Sequence, residues 1–244
     1  MRIILADSTS EAVKTVTTIV MDKISSHPSS VIGLATGRTM EPVYAQLVNE
    51  AKEQSLKMDN TFFFMLDEYL GIDDSHPSSF KTYIKNHLKN PLHLHDSQFA
   101  FPPTHLVSQG IAGEHYESLI KEAGGIDLQL LGIGVNGHIG FNEPGSAIDS
   151  KTRVVELTES TRAANKSHFG EGEMPSKALS MGIGSILGAK ELVLLATGKS
   201  KADAIKYLLN HHDDESCPVT YLKAHSHFTL VLDPEAASKI SLKI

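Results

Sequence analysis

Tryptophan is absent from the 244 residues and cysteine occurs once, at Cys217. A single cysteine excludes an intramolecular disulfide and any cysteine-cluster metal site. Basic charge is scarce as well. Lys plus Arg number 22 against 29 Asp plus Glu, a net charge of −7, which is the wrong sign for nucleic acid or an anionic membrane surface. No apolar run approaches the ~20 residues of a membrane span. The first residues, Met1-Arg2-Ile3-Ile4-Leu5-Ala6-Asp7, meet a charge before a signal-peptide core can form. Hydrophobic residues at 41% and charged residues at 21% argue against disorder and coiled coil. These bounds predict a cytoplasmic protein of one α/β domain or two small ones, acting on a small molecule.

Short apolar segments alternate with amphipathic ones along most of the chain. Val31–Ala35, Phe62–Leu66, Leu128–Ile133, Leu192–Ala196 and Phe228–Leu232 read as strands buried on both faces, with Arg2–Leu5 a weaker candidate. Between them, Ser8 and Glu11 have capping-box spacing ahead of a stripe at Val13, Val16, Val20 and Ile24. Glu41–Glu53, Ser79–Leu88, Ile111–Ala123 and Lys201–Leu209 are further helix candidates. The alternation predicts an α/β, Rossmann-like, doubly wound and mostly parallel sheet with helices on both faces. The stretch from about 142 to 176 carries Pro144, Gly145, Gly170, Gly172 and Pro175 and is too long for a turn. It reads as an irregular lid or a subdomain inserted in a single domain spanning 1–244.

Ligands of open α/β sheets bind beyond the carboxyl ends of the strands, and three such ends carry unusual residues. Thr36-Gly37-Arg38-Thr39 lies between a buried strand and a helix start, where backbone N–H groups and hydroxyls suit a phosphate. The alternative is a tight turn at Gly37 with Thr39 as helix cap. The Gly-x-x-x-x-Gly-Lys spacing of a P-loop is missing. Asp67 and Glu68 follow a very apolar strand, and adjacent side chains there point in opposite directions. One carboxylate in the crevice would be a desolvated base; a solvated acidic loop and an Mg²⁺ site are the other readings.

The third end is the most informative. Gly132, Gly134 and Gly137 satisfy Gly-x-Gly-x-x-Gly, and Glu156 lies at a distance suited to a ribose-binding acid. A dinucleotide site also needs a helix opening at the third glycine, and Gly140, Pro144 and Gly145 leave no room for one. A nicotinamide cofactor is therefore rejected. What remains is a glycine-lined loop presenting Asn136, His138 and Glu143, in which a carboxylate can fix an imidazole tautomer. The pairs His93/His95, His211/His212 and His225/His227 lack carboxylates at metal-ligand spacing, so no metal is expected. Lys201, in Gly198-Lys199-Ser200-Lys201, is either a point charge for a phosphate or a solvated helix start. Ser216-Cys217-Pro218 reads as a structural turn before a strand.

Together these motifs resemble the glucosamine-6-phosphate deaminases. The resemblance is carried by Leu34-Ala35-Thr36-Gly37, Leu66-Asp67-Glu68-Tyr69, the string from Gly132 through His138-Ile139-Gly140-Phe141-Asn142-Glu143-Pro144 to Gly145, and Ser216-Cys217-Pro218. The related 6-phosphogluconolactonases typically show Asp-Glu-Arg and Gly-His-Thr-Ala-Ser, so Tyr69 and Ile139–Pro144 point away from them. The resemblance implies conversion of glucosamine 6-phosphate and water to fructose 6-phosphate and ammonia. It implies Asp67 as the base moving a proton between C2 and C1, and His138 as the group assisting ring opening. Asn136 and Glu143 would orient or polarise that imidazole, while Thr36, Gly37, Arg38, Thr39 and Lys201 bind the phosphate. The substrate's own carbonyl is the electron sink, so neither pyridoxal phosphate nor any other cofactor is implied.

This chain departs from the family pattern in three places. Arg38-Thr39-Met40 replaces the frequent Ser-Thr-Pro, and Asn165-Lys166-Ser167-His168-Phe169 replaces Asn-x-Arg-Phe-Phe, whose arginine helps hold the phosphate. Arg38 is expected to supply part of the missing cation. Asn136 stands where some members have aspartate. The C4 epimer, galactosamine 6-phosphate, suits the same acid–base set and is the alternative substrate. A lactonase-like hydrolase and a catalytically silent sugar-phosphate sensor are the other readings. Longer members carry a C-terminal extension tied to assembly and control. A chain stopping at Ile244 is expected to be a monomer, with a homo-oligomer as the alternative.

Overall fold

A computed structural model describes residues 1–166, 169–170 and 172–240, apart from the side chains of Ser160 and Ala164. Seven strands form one parallel sheet: β1 (Arg2–Leu5), β2 (Val31–Leu34), β3 (Phe62–Met65), β5 (Phe99–Ala100), β6 (Leu128–Leu131), β9 (Leu192–Ala196) and β10 (Phe228–Leu232). Their spatial order is β1-β10-β9-β6-β2-β3-β5. Every residue of β2, β6 and β9 is buried, which explains why these strands read as apolar runs, broken only by the buried Gln129 of β6.

Helices α1 (Thr9–Ser26), α2 (Glu41–Glu53), α4 (Ala112–Glu122) and α7 (Ala202–Asn210) fill the crossovers. The stripe Val13, Val16, Val20 and Ile24 of α1 is buried, and each such side chain is worth about 1.5–3 kcal/mol against exposure. Ser8 Oγ accepts the Glu11 N–H at 3.1 Å, as the capping spacing predicts. The return bond differs by one residue, because Glu11 Oε2 accepts from the Asp7 N–H at 2.7 Å rather than from Ser8. The helix expected over 79–88 is α3 (Phe80–Ile84), which widens into a π-helical turn at Lys85–Lys89.

A second, three-stranded antiparallel sheet has the order β4-β8-β7, with β4 (Asp67–Tyr69), β7 (Arg153–Glu156) and β8 (Lys177–Ser180). Leu66 alone separates β3 from β4. Its N–H donates to Leu34 O in the large sheet at 3.0 Å, and its carbonyl accepts from Met181 N at 2.9 Å. The chain therefore changes sheets at this one residue.

The segment 142–176, read from the sequence as an irregular lid or an inserted subdomain, carries some regular structure among its described residues. It contains β7 and helix α5 (Glu159–Asn165), and β7 joins the small sheet. A separate apolar cluster of Tyr69, Phe141, Leu157, Phe169, Met174 and Ala178 sits there. Arg153 and Asn142 tie its start together, Nη1 donating to Oδ1 at 2.9 Å.

Candidate active site

After β2 the chain moves to β3 and β5, and after β6 it moves the opposite way, to β9 and β10. β2 and β6 are neighbours, so the loops leaving their carboxyl ends part above the sheet and open a crevice. A cavity of about 790 Å³ lies there. Thr36, Gly37, Arg38, Thr39, Asp67, Asn136, His138 and Lys201 all line it. Glu143 does not.

The turn after β2 is built from backbone. Gly37 takes φ +100°, a conformation that suits glycine. Its carbonyl accepts Met40 N at 2.9 Å and the Tyr83 hydroxyl at 3.0 Å. Met40, not Thr39, occupies the N-cap of α2, and no side chain bonds the first turn. The capping alternative for Thr39 thus falls away, and the start of α2 retains N–H groups for an anion. Lys201, which also lines the cavity, ends the 3-10 turn Lys199–Lys201, and burial lowers its pKa. That turn is fixed from behind: Asp233 accepts the Gly198 N–H at 3.1 Å and the Thr9 hydroxyl at 2.7 Å.

Asp67 and Glu68 part as strand geometry requires. Asp67 lines the cavity and makes no hydrogen bond to a described residue. Burial, followed by the neighbouring charge of Glu68, pushes its carboxyl up to about 8. Glu68 instead accepts backbone N–H groups of Tyr69 at 2.9 Å, Phe80 at 3.0 Å and Lys81 at 2.9 Å. Burial raises its pKa too, and those three bonds oppose the rise. Neither carboxylate lies in a solvated acidic loop. Among the described residues no three His, Cys, Asp or Glu side chains converge as metal ligands.

The loop after β6 arranges its polar residues as a relay. Asn136 Nδ2 donates to Glu143 Oε2 at 2.9 Å, which turns Asn136 Oδ1 towards His138. That oxygen lies 3.2 Å from the His138 backbone N–H and 2.7 Å from Nδ1. An acceptor at Nδ1 places the imidazole proton there and leaves Nε2 as the basic nitrogen. The direct His138–Glu143 pair expected from spacing is longer, Nδ1 to Oε2 being 3.5 Å. Asn136 therefore fixes the tautomer, and Glu143 fixes Asn136.

Glu143, expected among the catalytic residues, stands behind Asn136 and the imidazole and does not line the cavity. Thr158 donates its hydroxyl to Glu143 Oε1 at 3.1 Å, and Thr161 donates to the same oxygen. Burial pushes the Glu143 pKa up, but the bonds and charge from His138, Thr161 and Asn136 outweigh it and hold the group down to about 2. Gly134 is required by packing, since a Cβ there would lie 2.2 Å from the His138 ring. The turn at Cys217 supports the loop from outside: Val219 N–H donates to Gly137 O at 2.9 Å and Gly145 N–H to Glu215 O at 2.7 Å. It leads into a 3-10 helix, Pro218–Ala224, ahead of β10.

Several lining residues escape sequence reasoning. Tyr69, Phe80 and Phe141 form an aromatic wall with ring centroids 4.8–5.9 Å apart, and Tyr83, Thr161, Asn165, Thr197 and Ser200 complete the cavity. Only Thr158 and Thr161 left a signal, the three-residue spacing of a helix cap, with Thr158 Oγ accepting Thr161 N–H at 3.2 Å. Ser167 and His168, where the lid motif departs from its pattern, lie outside the described residues.

Comparison with known proteins identifies the family. The family described as glucosamine-6-phosphate isomerases/6-phosphogluconolactonase matches residues 5–231. A glucosamine-6-phosphate deaminase of Halalkalibacterium halodurans is 44% identical over 91% of each chain. One from Marinomonas sp. is 42% identical over 100% of this chain and 93% of its own. The solved structure of a monomeric glucosamine-6-phosphate deaminase superposes with a TM-score of 0.95 at 38% identity, covering 98% of this chain and 100% of that one. A 6-phosphogluconolactonase of Trypanosoma cruzi, at 19% identity and TM-score 0.80 over 99% and 97%, shares the fold. By the extent and agreement of these matches, the chain belongs to the glucosamine-6-phosphate isomerase/6-phosphogluconolactonase family.

Proposed function

We propose that this protein is a glucosamine-6-phosphate deaminase, converting glucosamine 6-phosphate and water into fructose 6-phosphate and ammonia. The observation that carries this reading is a buried Asp67 that takes no hydrogen bond from a described residue, in the same cavity as an imidazole whose Nδ1 faces Asn136 Oδ1. At the far side an anion turn and Lys201 suit the phosphate. Relatives bearing that name at 44% and 42% identity support it.

In this reading the phosphate docks on Thr36–Thr39 and Lys201, and its binding energy positions the reacting carbons. His138 Nε2 takes the C1 hydroxyl proton and returns it to the ring oxygen, opening the sugar to an aldehyde. Asp67 then removes the C2 proton, acidified by the carbonyl and the C2 ammonium, while O1 gains a proton and the ammonium gives one up, leaving an enolamine. The same carboxyl delivers its proton to C1. That leaves an iminium at C2, which water hydrolyses to the ketone with loss of ammonia. A carboxylate whose pKa is raised to about 8 is a stronger base for carbon than an ordinary one. The arriving C2 ammonium supplies an opposite charge that favours its ionised form.

Arg38, exposed at the cavity rim, takes over part of the role of the absent lid arginine. The site residues act within one domain spanning the chain, and the protein works as a monomer, as the solved deaminase is described. Among the described residues no helix is long and apolar enough to cross a membrane. A charged sugar phosphate does not cross a membrane unaided, which supports a cytoplasmic enzyme.

The test is ammonia release from glucosamine 6-phosphate, beside the galacto epimer, 6-phosphogluconolactone and the Asp67→Asn variant. Ammonia from the gluco epimer, lost in the variant, supports the reading. Lactone cleavage without ammonia, or binding without turnover, rejects it.

A further inference from the structure

Glu68 takes no step in the reaction above, and its carboxylate is occupied by three backbone N–H groups. Two of these, from Phe80 and Lys81, are donors that the start of α3 would otherwise leave orphaned. Ser79 completes the turn by accepting Thr82 N–H at 3.0 Å. Helix α3 then brings Ser79, Phe80 and Tyr83 to the cavity wall. The Tyr83 hydroxyl donates to Gly37 O at 3.0 Å, at the centre of the anion turn. On its other side Glu68 is the chain neighbour of Asp67 on β4.

We propose that Glu68 is a positioning residue serving both ends of the substrate: it holds the phosphate turn through α3 and Tyr83, and sets a negative charge against Asp67. The inference rests on reading Asp67 as the carbon base. Asp67 is surrounded by Glu68 and Tyr69 on its own strand, Ser180 opposite in β8, Leu66, Gly140, and Tyr116 from α4. The Tyr116 hydroxyl is spent on the Met65 and Ala100 carbonyls at 2.6 and 3.1 Å. Of these groups Glu68 is the carboxylate, and its three N–H donors favour its ionised form. Its charge adds to burial in raising the Asp67 pKa. One residue thereby strengthens the base and fixes the distance from that base to the phosphate.

Glu68→Gln separates these effects from bulk. It keeps Oε1 with its two bonds, turns an amide N–H against the Lys81 N–H, and removes the charge. Asp67 is titrated by carboxyl ¹³C NMR in the full chain without substrate, assigned with Asp67→Asn, beside steady-state ammonia release. In Glu68→Gln the Asp67 titration moves to lower pH and KM rises roughly two- to tenfold, the worth of one hydrogen bond. Tyr83→Phe raises KM by a similar factor with the Asp67 titration unmoved. An unmoved titration in Glu68→Gln, or an unchanged KM in either variant, overturns the proposal. If Glu68→Gln does not fold, Glu68→Asp keeps the charge at shorter reach and must raise KM while Asp67 still titrates high; a fallen titration there also overturns it. The NMR readout needs no turnover, so a wild-type protein that releases no ammonia defeats the deaminase reading alone.

Discussion

Strand β4 and the loop after β6 each bury a carboxylate, and the two are driven in opposite directions. At the hand-over from β3 to β4, Asp67 is buried beside Glu68 with no hydrogen-bond donor among the described residues, and sits at about 8. In the loop after β6, Glu143 is also buried, yet Asn136, Thr158 and Thr161 donate to it, His138 lies close by, and it sits at about 2. Depth alone does not set the charge of a buried acid; the donors around it do. The undressed group is suited to carrying a proton, and the dressed one to staying an anion that orients its neighbours.

Removing the undressed carboxylate tests the comparison most severely. Asp67→Asn is expected to lower kcat by about 10²–10⁴-fold, the usual worth of a positioned base, with glucosamine 6-phosphate still bound in calorimetric titration. Near-wild-type turnover would end the distinction. Glu143→Gln leaves the cavity lining unchanged but puts an amide among donors. A kcat loss of roughly 5- to 100-fold is expected, the cost of leaving a buried donor unpaired. A loss as large as that of Asp67→Asn would mean that Glu143 takes part in proton transfer. At the phosphate end Arg38→Ala should raise KM roughly tenfold, as for one charge-assisted hydrogen bond, with a smaller change in kcat. Unchanged KM would reject the substitute-cation role.

The smallest effects are on stability. Asp67 stays neutral in the fold up to about 8, whereas in the unfolded chain it ionises near its ordinary 3.8. Its contribution is therefore fully present below about 4 and is lost as pH rises towards 8. Glu143, held at about 2 against an ordinary 4.5, stabilises above 4.5 and loses that effect as pH falls through 2. Thermal melts should show Asp67→Asn gaining a few degrees on the wild type between pH 4 and 8, and Glu143→Gln losing most at neutral pH. A reversed order would contradict the assignment of donors.

The large sheet was legible because its strands are short, apolar and buried on both faces, so Val31–Leu34 and Leu192–Ala196 stand out against amphipathic neighbours. The small sheet was not. β4 is Asp67-Glu68-Tyr69 and β7 is Arg153-Val154-Val155-Glu156, and charged ends on such short strands hide any alternation. Folded structure within 142–176 was obscured for the same reason, since its glycines and prolines mark turns between elements too brief to show a period. In the site, Asp67, Asn136 and His138 could be found because polar residues after an apolar strand are conspicuous. The relay order was hidden: Asn136 rather than Glu143 bonds Nδ1, a matter of amide orientation that spacing does not encode. Tyr83 gave no signal and the task of Glu68 stayed hidden, because their partners include backbone atoms distant in the chain.

Leu66, the single residue at which the chain passes from one sheet to the other, has a further consequence. In the proposed function the surface that receives the phosphate hangs from the parallel layer, while Asp67 rides on the antiparallel one. Grip on the phosphorylated end and proton transfer at carbon would then draw on separate sheets joined at a seam, so a shift at Leu66 would alter the distance between them.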